Sequence, residues 1–400
     1  RTRDHRGKNV PWLSGPRGTR RGPVLSACDF NKPMMVTGIT LWTVDLTSHK
    51  TYYMAEGKAC ATVKTHVLCL ETDIGLKGWG EVCPIPHYLP AFANGVPSAV
   101  TEMAPEILGI CPVGVDAPMR KLDGFLPGHR YAKSIVDMAL WDLFGQTTGQ
   151  PLYALLGGRT RRDMPLYHSI TCIDPDDMAR IAQDAYATGI RQFQVKLGAD
   201  ADWQADAERV IKVREAVGDG PLVYCDWNCG VTKLHATRTG RAVQHLDVML
   251  EQPCKTLEDC AAVRQATGLA MKIDEGAHDL ASLMRARELG CLDAVALKLS
   301  KFGGLSAMRR ARDLTVHLGA EICAECTWGS DIVTAAALHF AASTPQGALM
   351  NTCDLASYVK PRLCPDAPTR VNGRIEPPEG PGLGVTPDMD VLGNPVLELA

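Results

Sequence analysis

Seven residues with ionisable side chains recur at one rhythm: Lys196, Asp226, Glu251, Asp274, Lys298, Glu325 and Asp354 fall 23 to 30 residues apart. Each closes a short apolar run, as the last residues of a strand in one repeated unit would. Asp226, Glu251 and Asp274 make an all-oxygen donor set, which suits one hard cation such as Mg2+ and leaves coordination positions for water and substrate. Without a counter-ion, three such charges would repel strongly in a pocket of low dielectric. Lys196 and Lys298 flank the acids. An ammonium that is desolvated and close to a divalent cation gives up its proton more readily, so both lysines are candidate bases near neutral pH. For one acid alone, a solvated loop or an ion pair is the ordinary explanation. Three on successive units, flanked by two lysines in matching register, make convergence the stronger reading.

The elements that must position these residues follow one grammar of strand, polar strand end, loop and amphipathic helix. The candidate strands are 165–170, 192–197, 222–228, 248–252, 271–275, 294–299, 321–325 and 349–354. Asp174 before Pro175, and Thr256 three residues before Asp259, are helix start signals. Eight strands at this spacing predict a parallel (β/α) barrel over about 161–360, whose strand ends all meet at one face. Ahead of it, strand-like runs at 38–44 and 64–71, turn signals at Asp73 to Gly75 and Gly78 to Gly80, and an apolar helical stripe from Ala132 to Leu143 predict an α+β unit over 35–160.

Bulk properties narrow the partner. The chain has 400 residues, 46% hydrophobic and 22% charged, with a net charge of −3. That is the composition of an ordinary globular protein, and it gives no electrostatic reason to expect nucleic acid or membrane. A small molecule is the expected partner. Fifteen cysteines without an apolar signal segment fit a reducing compartment. Cys323 and Cys326 lack a second pair at zinc spacing, so they are expected to be core residues. Residues 1–33 are rich in arginine and glycine, with no packing period, and are expected outside the fold as a targeting segment, a basic arm or an upstream extension. The cytoplasm is the expected location, with organelle targeting open. The glycines at 380–384 follow no strand and open no helix, so they are no nucleotide fingerprint.

Over nearly all of 36–400 the residues resemble the enolase superfamily, and within it the mandelate racemase and muconate-lactonizing branch. The likeness lies in Gly78 to Glu81, the stretch 132–142, Pro151 to Gly158, Asp226 to Asn228, Leu250 to Pro253, Ile273 to Glu275, Leu297-Lys298 and Gly303-Gly304. The resemblance implies a modified TIM barrel, (β/α)7β, under an α+β N-terminal capping domain that is completed by about 360–400. It implies one Mg2+ on Asp226, Glu251 and Asp274, with Lys196 and Lys298 as acid/base catalysts on two sides of a carboxylate substrate. The shared step is removal of the α-proton through an enediolate. A homo-oligomer is also expected.

Many relatives carry Lys-x-Lys on the second barrel strand, whereas this chain has Gln194 before Lys196. The glutamine form resembles the subgroup acting on proline derivatives, and segments at 87–95, 328–335 and 353–359 resemble its cis-3-hydroxy-L-proline dehydratases. The implied substrate contacts are Tyr88, Gln194, Asn228, Glu325, Trp328 and Asp354. Glu325 would hold the ring nitrogen, and His87 either closes over the ring beside Tyr88 or is a rim residue. Leu355 stands where betaine epimerases place an aromatic ring, which favours a secondary amine over a quaternary ammonium. The expected reaction is dehydration of cis-3-hydroxy-L-proline to Δ1-pyrroline-2-carboxylate. The alternatives are epimerisation of proline, hydroxyproline or their betaines, and a non-catalytic barrel.

Overall fold

The computed structural model describes residues 34–86, 88 and 90–400; the basic segment 1–33 and His87 lie outside the described residues. The chain opens with an antiparallel sheet in which Val36–Tyr53 (β1) pairs with Ala59–Thr72 (β2), and β2 with Lys77–Val82 (β3). Helices Gly95–Ile107, Asp116–Phe125 and Arg130–Thr148 follow. Gly78 and Gly80, expected at a turn, lie inside β3. The reason is packing: a β-carbon at Gly78 would collide with the carbonyl of Ala139, and one at Gly80 with that of Ile135. The sheet therefore lies directly on the backbone of helix Arg130–Thr148, an approach only glycine permits.

After Met164–Pro165 (β4), eight parallel strands run in sequence order: His168–Ile170 (β5), Gln192–Lys196 (β6), Leu222–Asp226 (β7), Val248–Glu251 (β8), Met271–Ile273 (β9), Ala294–Lys298 (β10), Glu321–Glu325 (β11) and Leu349–Thr352 (β12). A parallel bridge from Leu166 to Thr352, with Tyr167 N donating to Thr352 O at 3.2 Å, joins the first strand region to the last. The sheet thus curls into a (β/α)7β barrel. The helices start where their caps dictate: Asp174 accepts from Asp176 N at 3.0 Å and Thr256 from Asp259 N at 3.1 Å.

The C-terminal segment returns to the N-terminal sheet. Val359–Lys360 (β13) and Leu397–Leu399 (β15) both pair antiparallel with β1, while Arg374–Ile375 (β14) pairs with β4. Among the described residues no helix is long and apolar enough to cross a membrane.

Candidate active site

Side chains alternate across a strand, so residues two apart share a face. Val195, Val223, Leu250, Ile273, Leu297 and Ala324 are fully buried between strands and helices. Their neighbours Gln194 and Lys196, Tyr224 and Asp226, Lys272 and Asp274, and Cys323 and Glu325 face the barrel interior, where Lys272 Nζ stands 4.4 Å from the centre of the Tyr224 ring. Register then sets their height. Lys196 is opposite Asp226, Asp226 opposite Glu251, and Lys298 opposite Glu325. Lys196, Asp226 and Glu251 therefore lie side by side at their strand ends, as do Lys298 and Glu325, and Asp274 stands just past β9.

The lysines and acids interlock. Lys196 is ion-paired with Asp226 and lies 3.2 Å from Asn228 Oδ1. Lys298 Nζ reaches Asp274 Oδ2 at 2.7 Å and donates to the Tyr88 hydroxyl at 2.5 Å, and that hydroxyl in turn donates to Asp274. Two lysines overlooked in the sequence complete the array. Lys301 Nζ holds Asp274 Oδ1 at 2.8 Å, and Lys272 Nζ, fully buried, lies 2.9 Å from Glu251 Oε1 and 3.7 Å from Glu325 Oε1. Strand parity was the available signal: if Asp274 faces the barrel mouth, Lys272 must face the interior one layer below.

Charge follows from this packing. Burial, then the neighbouring Asp226, pushes the Glu251 carboxyl up to about 8, and burial followed by Asp274 pushes Glu275 up to about 7. For Asp274, burial alone would raise the carboxyl, but Lys298 and Lys301 hold it well below the usual range. Burial would lower both catalytic candidates, yet Asp226 beside Lys196 and Asp274 beside Lys298 raise them above an ordinary lysine. This runs opposite to the direction expected from sequence, because the nearest charge to each ammonium is a carboxylate rather than a cation.

The acids themselves test whether a divalent cation fits. Among the described residues no three His, Cys, Asp or Glu side chains are drawn close enough to hold one ion as they stand. The donor chemistry nevertheless fits. Asp226, Glu251 and Asp274 are all fully buried oxygen donors at the ends of successive strands, and Glu251 is raised by burial first and by the neighbouring Asp226 second.

A cavity opens above this layer, lined by Tyr88, Gln194, Lys196, Asn228, Lys298, Glu325 and Trp328, together with Tyr52, Ser169, Cys326, Leu355 and Tyr358. Tyr167 donates to Glu325 Oε2 at 2.6 Å, and Lys298 and then Lys272 outweigh burial to keep the Glu325 carboxyl below its ordinary value. The indole N–H of Trp328 has no protein partner, although the residue is only 9% exposed. Tyr52 and Tyr358 flank its ring at 5.5 and 6.2 Å. Cys326 and Cys323 are buried free thiols, and their sulfurs lie near Ser300 Oγ and Glu325.

Asp354 is not brought to this cavity. The last strand ends at Thr352, two residues earlier than expected, and the chain turns so that Asp354 is clamped by Arg370 at 2.7 and 2.5 Å while Cys353 and Leu355 line the cavity instead. Gln194 lines the cavity, but its amide is engaged at both ends. It donates to Glu251 Oε2 at 2.8 Å and accepts from Ser169 Oγ at 2.5 Å.

Comparison with known proteins agrees with this architecture. Residues 39–157 match the N-terminal domain family of mandelate racemase and muconate lactonizing enzyme, and residues 177–391 match the enolase C-terminal domain-like family. A cis-3-hydroxy-L-proline dehydratase of Roseibium aggregatum is 40% identical over 365 residues, 91% of this chain and 99% of the relative. An N-succinyl-L-Arg/Lys racemase of Bacillus cereus is 27% identical over 90% of this chain and 97% of the relative. A crystal structure of an enolase superfamily member from Roseovarius nubinhibens, complexed with magnesium, superposes with a TM-score of 0.86 at 33% identity, covering 92% of this chain and 99% of that one.

Proposed function

The chain belongs to the mandelate racemase and muconate lactonizing enzyme family of the enolase superfamily, and on that basis we propose that it is a hydro-lyase converting cis-3-hydroxy-L-proline to Δ1-pyrroline-2-carboxylate. The observation that carries this reading is the placement of the two lysines. In a ring of eight strands β6 and β10 are diametrically opposed, so Lys196 and Lys298 reach the cavity from two sides. The 40% identical dehydratase supports the choice of substrate.

The reaction needs one proton removed and one delivered. Lys196, entering the step as the neutral amine, takes the α-hydrogen and the C–H electrons move toward the carboxylate. The bond from C3 to oxygen then breaks as Lys298 protonates the departing hydroxyl, and water leaves. The enamine left behind tautomerises to the cyclic imine. A magnesium ion held by Asp226, Glu251 and Asp274 would supply the positive charge that stabilises the doubly negative substrate carboxylate. Glu325, ionised in the cavity lining, receives the ring ammonium. Tyr88, reaching from the capping domain to Lys298 and Asp274, closes the site and keeps water from the intermediate.

Leu355 in the cavity lining favours a secondary amine, since a leucine offers no aromatic face to a quaternary ammonium. The decisive experiment is an NMR screen in deuterated water with magnesium and a panel of proline derivatives. Loss of water from the cis-3-hydroxy compound is the expected result. Exchange and inversion at the α-carbon without elimination would instead make the protein an epimerase, an activity the same two lysines could perform. No exchange with any compound would remove the enzymatic reading.

A further inference from the structure

The capping domain meets the barrel at a seam where Tyr53 N donates to Thr171 Oγ1 at 2.6 Å and Cys172 N to Tyr53 O at 3.1 Å. The next residues seat Ala55 against Gly230, where a β-carbon would come within 2.6 Å of the alanine methyl. Through this seam runs a chain of side-chain hydrogen bonds whose direction can be derived. Gln194 turns its N–H toward Glu251 Oε2 at 2.8 Å, which leaves its carbonyl facing Ser169. Ser169 therefore spends its single hydroxyl proton on Gln194 Oε1 at 2.5 Å. The Tyr52 hydroxyl, bonded to the same Ser169 oxygen, must then be the donor. Ser169 is further fixed by its backbone N–H, which donates to Tyr358 Oη at 3.0 Å.

We propose that Tyr52, Ser169 and Gln194 are positioning residues: a one-way chain of hydrogen bonds through which the seated capping loop orients the Glu251 carboxylate for its metal. On this account Gln194 does not hold substrate. One N–H and the carbonyl of its amide are already engaged, and its place in the chain explains the use of a glutamine where many relatives have the first lysine of Lys-x-Lys. A lysine there could donate to Glu251 but could accept nothing from Ser169, so the link to the capping loop would be cut. Chains of hydrogen bonds polarise one another, so the far donor strengthens the near one.

The proposal rests on the reading of Glu251 as a magnesium ligand, and its test separates the two. Magnesium is titrated calorimetrically into the substrate-free full chain, so that contacts of Tyr52 with substrate play no part. Ser169→Ala should weaken magnesium binding about 5- to 10-fold, the scale of one hydrogen bond between neutral groups. Tyr52→Phe should weaken it about 2- to 3-fold alone and add nothing in the Ser169→Ala background, where the chain is already cut. Thr171→Val removes one seam hydrogen bond outside the chain, and with Cys172 N on Tyr53 O and Ala55 on Gly230 still seating the loop it should bind magnesium like wild type. Should Ser169→Ala melt early, Gln194→Met cuts the next link, the one to Glu251 itself, and should give at least as large a loss. Wild-type affinity in Ser169→Ala, an undiminished Tyr52→Phe effect in the double variant, or an equal loss in Thr171→Val would overturn the chain. No binding to the wild-type protein would overturn the magnesium reading itself.

Discussion

Lys272 and Glu251 form an ion pair of 2.9 Å on adjacent strands, with neither side chain exposed to solvent. The ammonium also lies 3.7 Å from Glu325 and faces the rings of Tyr224 and Tyr167 at 4.4 and 5.7 Å. Lys272 thus supplies fixed positive charge to two acids that the proposed chemistry needs ionised. Lys272→Met would leave both acids buried without it. The expected cost is about 3 to 5 kcal/mol of unfolding free energy in urea titrations, as for other buried pairs that lose one partner. A loss below about 1 kcal/mol would show that the acids do not depend on it.

How far the sequence disclosed this site can be judged from individual residues. Strand-end spacing was enough to put Lys196, Asp226, Glu251, Asp274 and Lys298 at one end of the barrel, because each repeat contributes its last residue to one face. Lys272 was hidden by its apolar neighbours Met271 and Ile273, which suggest a strand buried against helices. Only parity with Asp274 points it inward. Lys301 sits in a short helical turn after β10, where no strand rule applies, and it reaches back to Asp274. Asp354 was misplaced because strand length depends on neighbour pairing, and β12 loses its partner after Thr352. The glycines of β3 read as a turn because their reason is a helix backbone distant in sequence.

Metal dependence is a consequence of the proposed ligand set, Asp226, Glu251 and Asp274. Chelation should abolish turnover and magnesium should restore it. Full activity after verified metal removal would sink the assignment. Glu251→Gln should lower kcat by roughly 10²- to 10³-fold, the scale of losing one preorganised electrostatic group.

Stability should carry a pH signature from a histidine far from the chemistry. His339 is fully buried and bonded through its ring nitrogens to Leu383 O at 3.0 Å and Tyr153 N at 3.3 Å. Burial pushes it down to about 4 from an ordinary 6.5, against a smaller upward pull from the Leu383 carbonyl. Between those values the unfolded chain binds a proton that the folded chain does not. The neutral imidazole therefore contributes full stability above about pH 6.5, and this is lost as the pH falls toward 4. In His339→Gln, the fall in unfolding free energy from pH 7 to pH 4 should be smaller by about 3 kcal/mol. An unchanged slope would mean that the ring is protonated in the fold.

The stereochemistry of elimination is the sharpest consequence of the two lysines. In cis-3-hydroxy-L-proline the hydroxyl lies on the carboxylate's side of the ring, so the α-hydrogen points to the other side and the two groups that leave are anti. Catalysts on two sides of the cavity suit that arrangement. With Lys196 as base toward the α-hydrogen, Lys298 stands where the hydroxyl departs. In the trans isomer both groups lie on the Lys196 side, and Lys298 reaches the oxygen only if the ring turns over between Tyr88 and Trp328. The cis isomer should therefore be dehydrated and the trans isomer hardly at all. Lys298→Ala should still exchange the α-proton of the L-substrate with solvent while losing dehydration, because abstraction and departure are assigned to different side chains. Lys196→Ala should lose both. Equal dehydration of the two isomers, or exchange that disappears in the Lys298 variant and survives in the Lys196 variant, would show that the sides are assigned the wrong way round or that the reaction is not this elimination.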